Sequence, residues 1–96
     1  MFMIIISFPP IKEGKETEFQ KWFASSNQAY SGFKGFISRK LLRPLEGGTY
    51  TAVIEFENRD DFKVMHSSNI HDIESERVQP MFVGKPTPKF YEVIQG

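Results

Sequence analysis

Two histidines are the clearest candidates for chemistry in this sequence of 96 residues. His66 and His71 are the only side chains whose ordinary pKa lies near neutral pH, so either can move a proton or ligate a cofactor. They are five residues apart, whereas two metal ligands on one helical face are expected at i and i+4. We therefore expect no metal site. The alternative to a role in catalysis is a solvent-exposed His71 beside Glu74.

The composition excludes several other classes of function. The absence of cysteine rules out disulfides, thiolate nucleophiles and cysteine-ligated zinc or iron–sulfur centres. No phosphate-binding loop, dinucleotide-binding motif or Ser-His-Asp triad can be assembled from these residues. Twelve basic and twelve acidic residues give a net charge of zero, so neither nucleic acid nor a membrane is an expected partner.

An apolar run at the start of the sequence ends at Pro9 and Pro10, far short of the length that spans a membrane. It has neither the preceding basic residues nor the small-residue cleavage site of a signal peptide. Its β-branched residues instead predict a buried strand over residues 2–8. We therefore expect a cytoplasmic protein.

A helix over residues 15–30 is predicted by apolar side chains at helical spacing, with Ser26 among them. Gly32 is expected to end this helix in a left-handed conformation. The second and third strands are expected to form a hairpin, because a turn rich in glycine and proline lies between them. These second and third strands are predicted over residues 35–43 and 49–57, and a fourth strand is predicted over residues 89–94.

The second helix begins at the N-cap Asn58 and is predicted to be interrupted at 67–69, because short polar side chains compete with the helical backbone for hydrogen bonds. In an unbroken helix, His71 would lie about 180° from Met65, since six residues at roughly 100° each make about 600°. A kink at 67–69 would allow both side chains to turn toward one cavity, which is the alternative to the position that we expect for His71. We expect His71 to stay partly exposed, near Glu74 or a dimer edge, so that His71→Ala barely changes stability.

The order strand, helix, strand, strand, helix, strand predicts an α+β, ferredoxin-like βαββαβ fold, in which two helices cover one face of a four-stranded antiparallel sheet. Strict alternation in the second strand places Phe36 and Leu42 on one face, and Ile37 and Leu41 on the other. Both faces are therefore apolar, and a chain this short cannot cover both. We expect the uncovered face to form a homodimer.

Four stretches, at residues 35–36, 41–50, 56–62 and 90–94, carry a close resemblance to the antibiotic biosynthesis monooxygenase family. The resemblance covers nearly the whole chain and implies a single domain, residues 1–96, with the fold of a dimeric α+β barrel. It also implies a monooxygenase, which is an oxidoreductase, although some members degrade haem and others have no known activity. In the cofactor-independent relatives, the deprotonated substrate itself passes an electron to oxygen.

Haem-degrading relatives carry an Asn at the end of the first strand, a Trp on the second helix and a His ligand further along that helix. Laid residue by residue on this chain, these positions fall on Ser7, Met65 and Glu74. Ser7 reaches less far than Asn, and Met65 lacks the rigid ring that distorts a porphyrin. His71 fits the ligand position only if the helix is kinked or the alignment is shifted. These departures count against haem, and we expect no cofactor.

The resemblance implies a pocket between the helices and the sheet. The expected catalytic residues in it are Ser7, His66 and His71. The expected substrate-binding residues are Trp22, Phe23, Phe62 and Met65, although core packing also explains Trp22 and Phe23. The basic residues of the second strand are expected to be solvated or to pair across a dimer, with one of them available to an anionic substrate. They are Arg39, Lys40 and Arg43.

The sequence therefore predicts a small cofactor-independent monooxygenase that acts on an aromatic or quinol-like substrate. The expected partners are a second copy of the chain and a small aromatic molecule. Two alternatives stay open, namely a haem-binding or haem-degrading monooxygenase and a non-catalytic dimeric domain of the same fold.

Overall fold

The elements occur in the predicted order in a computed structural model, which describes residues 1–96. Neighbouring strands are antiparallel, and across the sheet the second strand is followed by the third, the first and the fourth. The chain therefore has the ferredoxin-like α+β fold. Its elements are β1 (Phe2–Ser7), α1 (Glu16–Ser31), β2 (Phe36–Leu42), β3 (Thr51–Phe56), α2 (Arg59–His66), α3 (Asn69–Val78), a 3₁₀ turn (Gln79–Met81) and β4 (Thr87–Glu92). None of the helices combines the length and the apolar character that crossing a membrane requires.

One face of the sheet packs against the helices, and we call it the inner face; the opposite one is the outer face. Ala52 of β3 shares a buried cluster with Phe19 of α1. Ile4 of β1 and Ile54 of β3 share a second cluster with Phe62 of α2. Successive strand residues point to opposite faces, so the residues that alternate with these lie on the outer face.

A β-bulge between Phe36 and Ser38 changes the faces that alternation predicts for β2. The extra residue, Ile37, shifts the register, so that Arg39 pairs with Ile54 and both point to the inner face. Phe36 therefore shares the inner face with Leu41, and the prediction that groups Phe36 with Leu42 is wrong. The bulge also turns a charged side chain toward the core.

Gly32 does not adopt the predicted left-handed conformation, because its φ of −79° continues the helical backbone. The left-handed residue is Gly35, with φ of +81°, where the chain enters β2. A Cβ atom at Gly35 would collide with the side chain of Asp61. Glycine is therefore required at Gly35 and not at Gly32.

The predicted interruption of the second helix is confirmed. Asn58 caps α2, because its side chain accepts a hydrogen bond from the backbone N–H of Asp61 at 2.8 Å. α2 ends at His66, and Ser68 then caps α3 by accepting the backbone N–H of His71 at 3.2 Å. Two helices with separate axes therefore replace one.

β4 begins and ends two residues earlier than predicted. The prolines in this stretch favour a loop, but β4 is an edge strand and Pro88 lies within it, opposite Ile6. An edge strand tolerates proline, because one side of it has no ladder partner.

Candidate functional site

A cavity of about 230 Å³ lies between the inner face and the helices. Aromatic side chains dominate its walls, and none of its lining residues is acidic. It is suited to a small, largely apolar ligand. The lining residues are Ile4, Ile6, Phe8, Trp22, Tyr30, Arg39, Ile54, Phe62, Met65, His66, His71, Ser75, Val78, Phe82, Pro86, Pro88 and Phe90.

The two histidines meet on one wall of this cavity. Their ring centroids are 4.4 Å apart, although His66 ends α2 and His71 lies in the first turn of α3. The ring of His66 lies against Phe62 with a centroid distance of 5.4 Å, and the ring of His71 stacks on Tyr30 at 6.2 Å. His66 is exposed and His71 is half-buried, so His66 lies nearer the opening.

His71 is held in its neutral form. Partial burial is the main cause that lowers its pKa below the ordinary value of 6.5, since burial disfavours the charged imidazole. The charges of His66 and Arg39 lower the pKa further, whereas Asp72 raises it. At neutral pH the imidazole therefore has a nitrogen lone pair that can accept a proton.

Glu74 is not the partner of the His71 ring, contrary to one expectation from the sequence. Its buried carboxylate accepts two hydrogen bonds from Nη1 of Arg77, at 3.1 and 3.2 Å. Its backbone carbonyl accepts a hydrogen bond from Nε1 of Trp22 at 3.1 Å. The carboxylate is thus already paired, and the neighbours of His71 are aromatic rings. The predicted partial exposure of His71 is confirmed.

Two of the predicted site residues lie outside the cavity wall. Ser7 is exposed on the outer face, because strand alternation groups it with Met3 and Ile5. Phe23 is buried in the core, where its ring lies 3.9 Å from the guanidinium carbon of Arg39. The other predicted site residues line the cavity, namely Trp22, Phe62, Met65, His66 and His71.

Arg39 brings a positive charge to the cavity wall, whereas the sequence favoured solvation or a pairing across a dimer and left one basic residue of β2 available to an anionic substrate. Its Nη1 donates to Ser26 Oγ at 2.6 Å, to Asn27 Oδ1 at 2.7 Å and to the Phe23 carbonyl at 3.3 Å. Its Nε is buried and has no hydrogen-bond partner. The guanidinium forms no ion pair, since the salt bridges of the chain join other residues. Lys40 is exposed, as expected.

Aromatic rings surround the guanidinium, whose central carbon lies 4.9 Å from the Tyr30 centroid and 5.4 Å from the Trp22 centroid. Burial lowers the pKa of Arg39 to about 10, against the opposing effects of Tyr30 and Glu74, so Arg39 stays charged at neutral pH. Burial also raises the pKa of Tyr30 to about 12, although Arg39 opposes this change. The cavity therefore combines a fixed positive charge, a protonated phenol and a neutral imidazole.

Tyr30, Arg39 and Ser75 are polar cavity residues outside the predicted catalytic and substrate-binding set, although Arg39 is one of the three basic residues that the sequence related to an anionic substrate. Ser26 is the signal for Arg39, because it is a hydroxyl within the apolar stripe of α1 and is completely buried. A buried hydroxyl requires a polar partner, and here the partner is the guanidinium.

A family model described as antibiotic biosynthesis monooxygenase matches residues 1–72. The chain therefore belongs to the antibiotic biosynthesis monooxygenase family. Among curated proteins, the signal transduction protein TRAP of Staphylococcus epidermidis is 33% identical over 63 residues. That match covers 66% of this chain, and the chain spans about 38% of the length of that relative.

Solved structures share the fold across almost the whole chain. A variant of SnoaB from Streptomyces nogalater, described as a cofactor-independent oxygenase, superposes with a TM-score of 0.85 at 16% identity, covering 99% of this chain and 94% of SnoaB. MhuD from Mycobacterium tuberculosis, a haem degrader solved with two haems in its active site, superposes with a TM-score of 0.80 at 23% identity. That match covers 100% of this chain and 98% of MhuD. At these identities the likeness shows the fold alone.

Proposed function

We propose that the protein is a cofactor-independent monooxygenase whose substrate is a small aromatic or quinol-like molecule. The observation that carries this proposal is the neutral imidazole of His71 on the wall of a largely apolar cavity. A neutral imidazole accepts a proton, and apolar walls keep water away from a reactive anion. Membership of the antibiotic biosynthesis monooxygenase family supports the reaction class.

The proposed reaction begins when His71 accepts a proton from an enol, a phenol or an acidic ring CH₂ group of the substrate. The resulting anion passes one electron to molecular oxygen, and the two radicals combine at the ring carbon to give a peroxide. Loss of the remaining proton from that carbon breaks the O–O bond. The CH₂ group becomes C=O, the other oxygen atom leaves as water, and the substrate supplies all the electrons.

The aromatic walls of the cavity support this reaction by holding a flat substrate beside the base. Trp22 and Phe62 present rings to the cavity from two different helices. Tyr30 keeps its proton, because its pKa is raised to about 12, and its hydroxyl can donate a hydrogen bond to oxygen or to the peroxide. His66, near the opening, can pass the proton from His71 to solvent.

A haem-binding oxygenase is the second candidate, and His71 is the observation that favours it, because a neutral imidazole can ligate haem iron. The size of the cavity disfavours it. About 230 Å³ is less than the roughly 300–1,000 Å³ of sites for drug-sized ligands, and a porphyrin with two propionates is larger than most such ligands. A cavity of this volume favours a ligand smaller than haem, and we assign no step to haem.

Oxygen consumption with anthrone tests the proposed function, because its CH₂ group would become the second carbonyl of anthraquinone. We expect oxygen uptake above the uncatalysed rate and matching amounts of anthraquinone, both unchanged by a metal chelator. Hydroquinones extend the test to a second substrate type, for which the product must carry one oxygen atom from O₂ at a former ring C–H, because oxidation to the quinone alone yields H₂O₂ and no oxygenation. A protein that consumes no oxygen with either substrate type would contradict the proposal.

A haemin titration, run in parallel, separates the two alternatives. We expect no saturable shift of the Soret band. A stoichiometric shift would establish the haem-binding candidate in place of the proposed one. Inactivity in both assays would leave a non-catalytic domain of this family.

We also propose that the protein forms a homodimer through the outer face. Ile5 and Val53 are directly paired at the centre of this face, on β1 and β3. Leu42 and Tyr91, on the two edge strands, are each 46% exposed. The apolar centre is flanked by Lys40 on β2 and Lys89 on β4, which pair with Val53 and Ile5. An apolar centre with a charged rim is typical of a protein interface.

A further inference from the structure

Arg39 is a cation that the protein encloses without a counter-ion. Its hydrogen bonds run through Nη1 to two neutral side chains and one carbonyl, and none of these acceptors carries a negative charge. Glu74 is the carboxylate whose charge raises the pKa of Arg39, but that carboxylate is already hydrogen-bonded to Arg77. A buried charge with no partner is unfavourable, and a bound anion would relieve it.

The positioning of Arg39 goes beyond what packing alone requires. A β-bulge turns it to the inner face, and Ser26 and Asn27 of α1 fix the guanidinium through Nη1. Nε is left as a buried donor without an acceptor. Buried donors in native proteins nearly always have an acceptor, so the chain does not use the full hydrogen-bonding capacity of this guanidinium, which borders the cavity. A guanidinium is also the side chain best shaped for a carboxylate or an oxyanion.

We infer that Arg39 is an anion-binding residue and that the cavity takes an aromatic ligand with one anionic oxygen group, either a phenolate or a carboxylate. The aromatic walls receive the ring, and the guanidinium receives the negative oxygen. That the ligand is a substrate rests on the proposed function. The inference adds that this substrate carries a negative charge. In the proposed reaction, Arg39 would stabilise the anion that forms when His71 takes the proton.

Calorimetric titration of the whole protein at pH 8 with 2-naphthoate and with the neutral 2-naphthamide tests the inference. We expect naphthoate to bind at least tenfold more tightly to the wild type. Arg39→Met should remove that preference, whereas Arg39→Lys should keep part of it. Equal affinities of the two probes for the wild type would overturn the inference. This comparison needs no variant, so it holds even if Arg39→Met fails to fold.

Arg43→Met is the matched control. Arg39 borders the cavity and also a shallow groove between α1 and β2, whereas Arg43 borders only the groove. We expect Arg43→Met to leave naphthoate affinity unchanged. A loss as large as that of Arg39→Met would place the anion in the groove and overturn the assignment to the cavity.

Titration with 4-nitrophenol distinguishes the two kinds of anion, because its absorption reports its own ionisation. A tenfold preference for the phenolate would lower the apparent pKa of the bound phenol by one unit in the wild type and not in Arg39→Met. That result identifies an oxyanion formed by deprotonation, whereas an Arg39-dependent preference for naphthoate alone identifies a carboxylate.

The binding assays and the oxygen assay fail independently. Arg39-dependent anion binding without oxygen consumption would uphold the inference and reject the proposed function. Oxygen consumption that Arg39→Met leaves unchanged would uphold the function and reject the role of Arg39.

Discussion

The rings of His66 and His71 lie 4.4 Å apart across the break between α2 and α3. Five residues along one continuous helix make roughly 500° of rotation, which is one full turn plus about 140°, so the two side chains would point in different directions. The break at Ser67 and Ser68 is therefore what places both imidazoles on the cavity wall. The lowered pKa of His71 follows from this arrangement, since His66 contributes to it.

Replacing His71 with Ala is expected to lower turnover of an anthrone-like substrate by about 10²–10⁴-fold, which is the usual contribution of a general base. In the wild type, turnover should rise with pH through an apparent pKa below 6.5 and then level off, because the neutral imidazole is the active form. His66→Gln should move that apparent pKa upward, since it removes a neighbour that lowers it. A pH–rate profile that is the same in both variants and the wild type would contradict the role of His71.

The stability of the protein is expected to fall as the pH drops below 6.5 and through the lowered pKa of His71. In this range the unfolded chain binds a proton that the folded state resists, so protonation favours unfolding. His71→Gln should lose less stability than the wild type over the same pH range. Urea unfolding at pH 7.5 and at about pH 5 measures the difference. At neutral pH, the small effect of His71→Ala on stability stays a prediction.

Ser68→Ala is expected to lower the free energy of unfolding by about 0.5–2 kcal/mol, because it removes the N-cap of α3. It should also reduce turnover, since the hydroxyl that it removes holds the backbone N–H of His71 at 3.2 Å. Ser67→Ala is the matched control, because the Ser67 hydroxyl donates to the carbonyls of Lys63 and Val64 at the exposed end of α2 and does not bond His71. Denaturant unfolding and the oxygen assay together check both effects. Equal behaviour of the two variants would show that the cap does not position His71.

Gly35→Ala is expected to destabilise the fold by about 1–3 kcal/mol, because alanine is strained at a φ of +81° and its Cβ would collide with Asp61. Gly32→Ala should instead stabilise it by about 0.4–1 kcal/mol, since φ is −79° there and the space around the position is open. Thermal unfolding of the two variants compares them directly. The opposite order of stability would restore Gly32 as the left-handed residue.

Ile5→Lys is expected to convert the proposed dimer into a folded monomer, because it places a charge at the centre of the outer face. Val64→Lys, at a position of α2 that is already 64% exposed, should leave the dimer intact. Light scattering at micromolar concentration measures the mass, and circular dichroism confirms that both variants fold. A monomeric wild type would remove the basis for the proposed interface.

Local sequence determined the order of the elements and the break in the second helix. Capping depends on a few neighbouring residues, so the roles of Asn58 and the 67–69 stretch follow from side chains that bond their own backbone. The aromatic face of α1 and the residues Phe62 and Met65 were predictable for the same reason, because helical periodicity fixes which side chains share a face.

Only the tertiary structure decided which polar groups enter the cavity. The period of a strand is two, so one extra residue reverses every side chain that follows it. The bulge at Ile37 places Arg39 on the same face as Phe36 without any signal within β2 itself. Ser7 lies on the outer face for the related reason that the choice between the two faces of β1 depends on the helices that cover one of them. The sequence therefore predicts the histidines at the site, and the sheet register adds the cation.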